Sequence, residues 1–349
     1  MGLRDEILEQ PEAARRQLAS DPGPIEALAG RLRAEPVESI VIAARGSSDH
    51  AAIYAQYVFG VRHQLPVALA APSITSIYGV EPEFRRALVI AISQSGASPD
   101  VVGVVAAARR QGAPTLAITN EPDSPLAAAA EFVIDLRAGP EKAVAATKTY
   151  TASLLAIARL SAALIEGATV PGSATELAAV PVHLEAALTG EVEDEAERVA
   201  GALAATDRCV ILGRGFEYAT AREWALKLKE LARVFADPYS AADFEHGPLA
   251  LIGPGVPVLA VAPSGPFAVG LVELLERLGA DGADLTTLSD DPATRAIGAR
   301  SIGLPPGIPD WLRPIVSIVP AQLYAYHLTR ARGLDPESPR NLSKVTRTR

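Results

Sequence analysis

Hydrophobic and polar positions along the chain fall into a repeated strand-turn-helix pattern, clearest from Ala87 to Val102. Six apolar residues, Ala87 to Ile92, run without a break, and Ser93-Gln94-Ser95-Gly96 follows. Ser98-Pro99-Asp100 then opens an apolar helical pattern. An unbroken apolar run of strand length predicts a strand buried on both faces. Ser98 is expected at the N-cap, with Pro99 in the first helical position. That order turns a Ser/Gly loop onto a helix N-terminus, where hydroxyls and free N–H groups face an anion. The fingerprints G-x-x-x-x-G-K-[ST] and G-x-G-x-x-G are absent from this loop, so it is not a nucleotide loop of either kind.

The same pattern recurs on either side. Met1 to Ala34 predicts two short helices around Asp21-Pro22-Gly23-Pro24. Ser39 to Ala44 predicts a strand, Arg45-Gly46-Ser47-Ser48-Asp49 a turn, and the residues through Phe59 a helix. Further strands are expected at Val67 to Ala71, Thr115 to Thr119 and Phe132 to Leu136, and a helix from Thr147 to Ile165. The second half predicts a strand at Arg208 to Leu212, a turn at Gly213-Arg214-Gly215 and a helix from Glu217 to Val234. Strands at Val256 to Ala262, Asp284 to Leu288 and Ser301 to Leu304 follow, with a closing helix from Pro314 to Ala331. Strands alternating with helices imply an α/β fold with a parallel sheet covered on both faces. The recurrence predicts two like domains, at residues 37–170 and 197–333. A helical segment (1–36) precedes them, a linker (171–196) joins them, and a tail (334–349) follows.

Composition narrows the classes. The chain of 349 residues is 49% hydrophobic, enough for two cores. No apolar run approaches the roughly 18 to 20 residues that span a bilayer, and no leader pattern opens the chain. With one cysteine, Cys209, neither an intrachain disulfide nor a cysteine-rich metal site is expected. The compartment expected is the cytoplasm. A net charge of −9 argues against a nucleic-acid partner. Lysine is scarce: Lys142, Lys148, Lys227, Lys229 and Lys344 are all there are, among 32 basic residues. Unlike Arg, Lys can lose its proton and attack a carbonyl, which draws attention to those segments.

Several residues are candidates for chemistry. Ser47 and Ser48 follow the first strand as Ser93 follows the third, so both loops leave the carboxyl edge where ligands of parallel sheets collect. Glu223, Lys227 and Glu230 recur at i, i+4 and i+7, with Trp224, Leu228, Leu231 and Phe235 as the opposite stripe. That spacing suits a solvated salt-bridged face, and equally a carboxylate placed as a base beside an ammonium. Glu141 and Lys142 lie on a loop and Glu245-His246-Gly247 on a polar turn, while His327 reads as structural.

Together these segments resemble the sugar isomerase (SIS) domain family. The resemblance is carried by Ser93-Gln94-Ser95-Gly96, Val144-Ala145-Ala146-Thr147-Lys148, Ala225-Leu226-Lys227-Leu228-Lys229-Glu230, His246-Gly247-Pro248-Leu249-Ala250-Leu251 and Pro339-Arg340-Asn341-Leu342-Ser343-Lys344. They occur in family order from about residue 37 to the C-terminus. The match is nearest to the isomerase half of glutamine–fructose-6-phosphate transaminase and to stand-alone glucosamine-6-phosphate deaminases. It implies two tandem SIS domains, each a flavodoxin-like three-layer sandwich, in a homodimer whose active site is shared between subunits. It places a sugar phosphate against Ser47, Ser48, Ser93, Gln94, Ser95 and Ser98, with Glu141 and Val144 lining the sugar pocket. Glu230 becomes the acid/base between C1 and C2, and Lys227 polarises the sugar oxygens. His246 of a neighbouring subunit opens the ring, and Lys344 approaches the anomeric carbon as an imine-forming amine or an electrostatic partner. No metal or organic cofactor is implied.

Two departures shape the expected activity. Arg45 stands where the transaminase usually has cysteine, and no glutaminase segment with a cysteine nucleophile is found. Both favour deamination of glucosamine 6-phosphate to fructose 6-phosphate and ammonia. The competing expectations are a fructosamine-6-phosphate deglycase and a non-catalytic sugar-phosphate sensor.

Overall fold

The computed structural model describes residues 2–165 and 173–344. Residues 166–172, which include the first two residues of the expected linker, and the last five residues of the tail, 345–349, lie outside the described residues. The chain divides into two compact units. One holds Glu12–Glu141, Lys148–Ala179 and the C-terminal residues from Ser343; the other holds Met1–Pro11, Lys142–Thr147 and Val180–Leu342.

In the first unit five parallel strands form one sheet: β1 (Ser39–Ala43), β2 (Val67–Leu69), β3 (Ala87–Ile92), β4 (Thr115–Thr119) and β5 (Phe132–Asp135). Their order is β2-β1-β3-β4-β5. Register runs Ile40 opposite Leu88 and Val89 opposite Thr115. Every residue of β3 and β4 is buried, as expected for central strands covered on both faces. Val101, Val104 and Val105 of the helix Pro99–Arg110 close one face against Val89 and Ala91. On the unit's long helices, Ser47–His63 packs on Lys148–Ile165.

The second unit repeats the plan with β6 (Arg208–Gly213), β7 (Phe235–Ser240), β8 (Pro257–Val261), β9 (Asp284–Ser289) and β10 (Arg300–Gly303). The order β10-β9-β8-β6-β7 is that of the first sheet with each strand replaced by its counterpart. This is the doubly wound, flavodoxin-like arrangement, and it bears out the repeated α/β reading. Leu274, Leu275 and Leu278 cover one face of the sheet. The helix Arg313–Ala331 packs on Glu217–Lys227, where Trp224 meets Tyr324 edge-on with ring centroids 5.4 Å apart.

Three expectations change. The N-terminal stretch forms three helices, not two: Leu3–Leu8, Gln10–Leu18 and Gly23–Ala34. Pro11 is the second residue of the second helix, in its first turn, where its missing N–H costs no helical bond. The helix expected through Val234 keeps α geometry only to Lys227 and ends in a π-helical turn, Leu228–Ala232. Phe235 is therefore not part of its apolar stripe; it opens the edge strand β7 and is 82% exposed.

Candidate functional site

In the first sheet the strand order reverses at β1, which has β2 on one side and β3 on the other. Such a switch point leaves a crevice at the carboxyl ends of the two diverging strands. Both Ser-rich loops stand there. Gly46 turns the first loop with φ +58, and Ser47 and Ser48 begin the following helix, both half-buried. The second loop runs from the buried Ser93 through the half-buried Gln94, Ser95 and Ser98. Its shape is fixed from within: the Gly96 N–H donates to both the carbonyl and the Oγ of Ser93, each at 3.2 Å. The Gln94 carbonyl accepts from the Asn120 N–H at 3.1 Å and from Thr119 Oγ1 at 3.2 Å. Ser98 takes the N-cap position with Pro99 behind it, yet its hydroxyl makes no capping hydrogen bond. Hydroxyls and a helix N-terminus thus stand together on a loop fixed by its own hydrogen bonds, a set of donors of the kind that binds oxyanions.

Glu141 lies in the same unit. It is buried, whereas its neighbour on the loop, Lys142, is exposed. Its carboxylate accepts from the Thr149 N–H at 3.1 Å, from Thr149 Oγ1 at 2.8 Å and from Lys344 Nζ at 2.7 Å. Lys344 thus has a fixed place although it lies near the end of the chain. Thr149, absent from the sequence-derived site, orients that carboxylate.

The acid/base candidates belong to the second unit. Lys227 and Glu223 are almost completely buried, so the face they share is not a solvated one. Lys227 Nζ lies 3.4 Å from Glu223 Oε1 and 2.5 Å from Glu230 Oε2. The π-helical turn changes the rotation per residue just where Glu230 sits, a common device at functional sites. Arg233, at φ +57, ends the turn. Burial opposes the charge on Lys227, but the two carboxylates outweigh it and hold its pKa above the ordinary value. Lys227 is accordingly a permanent ammonium. Glu230 differs from Glu223 in keeping 22% of its side chain exposed, so it can reach a reactant.

His246 sits on an exposed turn between the short helix Ala241–Phe244 and Pro248–Leu251, next to Gly247 at φ +132. Val144 is half-buried on the Lys142–Thr147 segment, which belongs to the second unit. That segment is held by a residue the sequence did not single out. Fully buried Glu6 accepts from the Lys142 N–H at 2.5 Å and the Ala143 N–H at 3.2 Å. Among the described residues no cluster of side chains suits a metal, and no helix is long and apolar enough to cross a membrane.

Residues 35–163 and 202–331 each match the SIS domain, and the two matches bracket the two sheets. The chain belongs to the SIS domain family. Over 310 residues it is 40% identical to the isomerizing glutamine–fructose-6-phosphate aminotransferase of Methanothermobacter thermautotrophicus, covering 88% of this chain and 51% of that protein. The corresponding protein of Thermococcus kodakarensis is 36% identical over 354 residues, 97% of this chain and 56% of its own length. The chain therefore spans about half the length of the curated relatives it matches. A crystal structure assigned as a phosphosugar isomerase from Silicibacter pomeroyi is 34% identical, with a TM-score of 0.84 over 96% of this chain and all of that one. A glucosamine-6-phosphate deaminase from Thermotoga maritima has the same SIS fold, with a TM-score of 0.71 at 21% identity.

Proposed function

We propose that this SIS chain converts glucosamine 6-phosphate and water into fructose 6-phosphate and ammonia. The observation that carries the reading is Glu230, a partly exposed carboxylate aligned by a buried ammonium. In the open-chain substrate C1 is an aldehyde and C2 bears the amine. Glu230 takes the C2 proton, giving the enolamine, and returns it at C1, giving the ketose imine. Water adds to the C2–N double bond and expels ammonia, leaving the C2 ketone. One carboxylate serves both carbons because they are adjacent. Lys227 offsets the negative charge that builds on the C1 oxygen during enolisation.

The Ser47, Ser48, Ser93, Gln94, Ser95 and Ser98 cradle takes the phosphate. Lys344 and Glu141 bind near the carbonyl end, with Val144 lining the sugar. This reading includes a homodimer in which ring opening falls to a neighbouring subunit's copy of the exposed His246. Deamination is favoured over amination by Arg45, which stands where the transaminase usually has cysteine.

Purified protein supplied with glucosamine 6-phosphate should release ammonia and fructose 6-phosphate in equal amounts. Turnover of fructosamine 6-phosphate with none of glucosamine 6-phosphate would replace the deaminase by a deglycase. Tight binding of either without turnover would leave a sensor.

A further inference from the structure

The two loops of the phosphate cradle leave different strands, and one side-chain pair ties them together. Arg45, in the loop after β1, donates through Nε and Nη2 to Asp100 Oδ2 at 3.0 and 2.9 Å. Asp100 is in the first turn of the helix Pro99–Arg110, directly after the Ser93–Ser98 loop, and its side chain is fully buried. Its other oxygen accepts from the Val101 N–H at 2.9 Å.

A buried carboxylate in that first turn poses a problem for an anion site. The helix N-terminus that should attract phosphate already faces a negative charge. A second anion brought beside it is repelled unless Asp100 is neutralised. Arg45 supplies the neutralising charge, and with 48% of its side chain exposed it stands at the mouth of the crevice.

Resting on the proposed function, we propose that Arg45 is a positioning residue for the substrate phosphate. It cancels the Asp100 charge and staples the Ser47–Ser48 turn to the Ser93–Ser98 loop. Affinity for the phosphate then depends on the pair as a unit, and the proton transfer at C1 and C2 does not. An arginine here carries out two tasks with one group: its fork binds the carboxylate through two N–H donors, and its positive charge offsets the carboxylate's.

The test is isothermal titration of the full chain with fructose 6-phosphate, and separately with inorganic phosphate. The proteins are wild type, Arg45→Met, Arg45→Lys, Asp100→Asn and the double variant Arg45→Met/Asp100→Asn. Arg45→Met strands the buried charge and should weaken both ligands about tenfold or more. Arg45→Lys should lie between it and wild type. The double variant should bind more tightly than Arg45→Met alone, because the uncompensated carboxylate is gone. With glucosamine 6-phosphate, KM should rise in Arg45→Met while kcat stays within about twofold. Thermal melts of all five confirm folding. Wild-type affinity in Arg45→Met, or a double variant weaker than Arg45→Met, overturns the inference and leaves the proposed reaction standing. A wild-type chain that binds no sugar phosphate overturns both.

Discussion

At the scale of single residues, the second unit carries a buried acid the proposed reaction does not use. Glu217 is buried; its Oε1 accepts from Ser317 Oγ at 2.8 Å and its Oε2 from Thr220 Oγ1 at 2.5 Å. Burial pushes its pKa up to about 7, and the two hydroxyls and Arg313 pull the other way without offsetting it. A carboxyl whose pKa is higher in the fold than in the unfolded chain stabilises the fold while protonated. That contribution is full below about 4.5 and is lost as pH rises through about 7. Glu217→Gln cannot ionise and should escape the loss. Urea unfolding at pH 5 and pH 8 should show the variant gaining on wild type by on the order of 3 kcal/mol across that interval. A difference independent of pH would show that Glu217 does not titrate there. At Glu230 the expectation concerns the rate of the proposed reaction. Glu230→Gln keeps the size and one acceptor but cannot take a proton, so kcat should fall by about 10² to 10⁴. KM should barely move, since the proposed phosphate cradle uses other residues; equal damage to both would argue against a proton shuttle.

At the scale of elements, Gly96 shows how a loop is committed to one conformation. Its φ is +57, and a Cβ there would lie 2.0 Å from Ser124 Oγ and 2.5 Å from Ser124 Cβ. Gly96→Ala should cost at least about 1–2 kcal/mol from the left-handed backbone alone, with the contact adding to it. Because the same loop presents Ser93, Gln94 and Ser95, binding of fructose 6-phosphate should weaken more than global stability does. Urea unfolding beside ligand titration separates the two; an intact affinity would mean the loop is not the cradle. Central elements were legible because their signals are local. β3 and β4 are apolar runs bounded by polar loops and match their expected limits, Ala87 to Ile92 and Thr115 to Thr119. β7 was not legible: Phe235-Ala236-Asp237-Pro238-Tyr239-Ser240 mixes exposed and buried positions around a proline, which only an edge strand tolerates. The π-helical turn was hidden for another reason. Leu228 to Ala232 has a sequence an α-helix accepts, and the choice is made by packing around it. Spacing also could not tell a buried ion pair from a solvated one, so Glu223 and Lys227 read the same until their surroundings were known. Glu6 gave no local signal, since its partners at Lys142 and Ala143 are 136 and 137 residues away.

At the scale of the whole molecule, one plan is used twice with different contents. Both sheets have a switch point, between β1 and β3 and between β6 and β8. The turn Arg45-Gly46 has its counterpart in Arg214-Gly215, with Gly215 at φ +61. The surroundings then diverge. Arg45 faces the carboxylate of Asp100, whereas the Arg214 guanidinium stacks 5.4 Å from the centre of the Phe267 ring. Phe267 comes from the loop after β8 and lies so close over Gly215 that a Cβ there would be 2.3 Å from Cε2. On the same loop Ser264 is bound to Asp290, through its N–H at 2.7 Å and its hydroxyl at 2.6 Å. The second crevice thus offers a phenyl ring and a carboxylate where the first offers hydroxyls and a neutralised acid. An aromatic plug contributes no donors to a phosphate, and a fixed Asp290 repels one. On this reading, duplication of the fold has not duplicated the proposed anion site. Calorimetric titration should give about one fructose 6-phosphate per chain, and Ser93→Ala/Ser95→Ala should remove most of that heat rather than half. A stoichiometry of two, or a half-signal surviving in the serine variant, would mean that Phe267 swings out and that the second crevice binds as well.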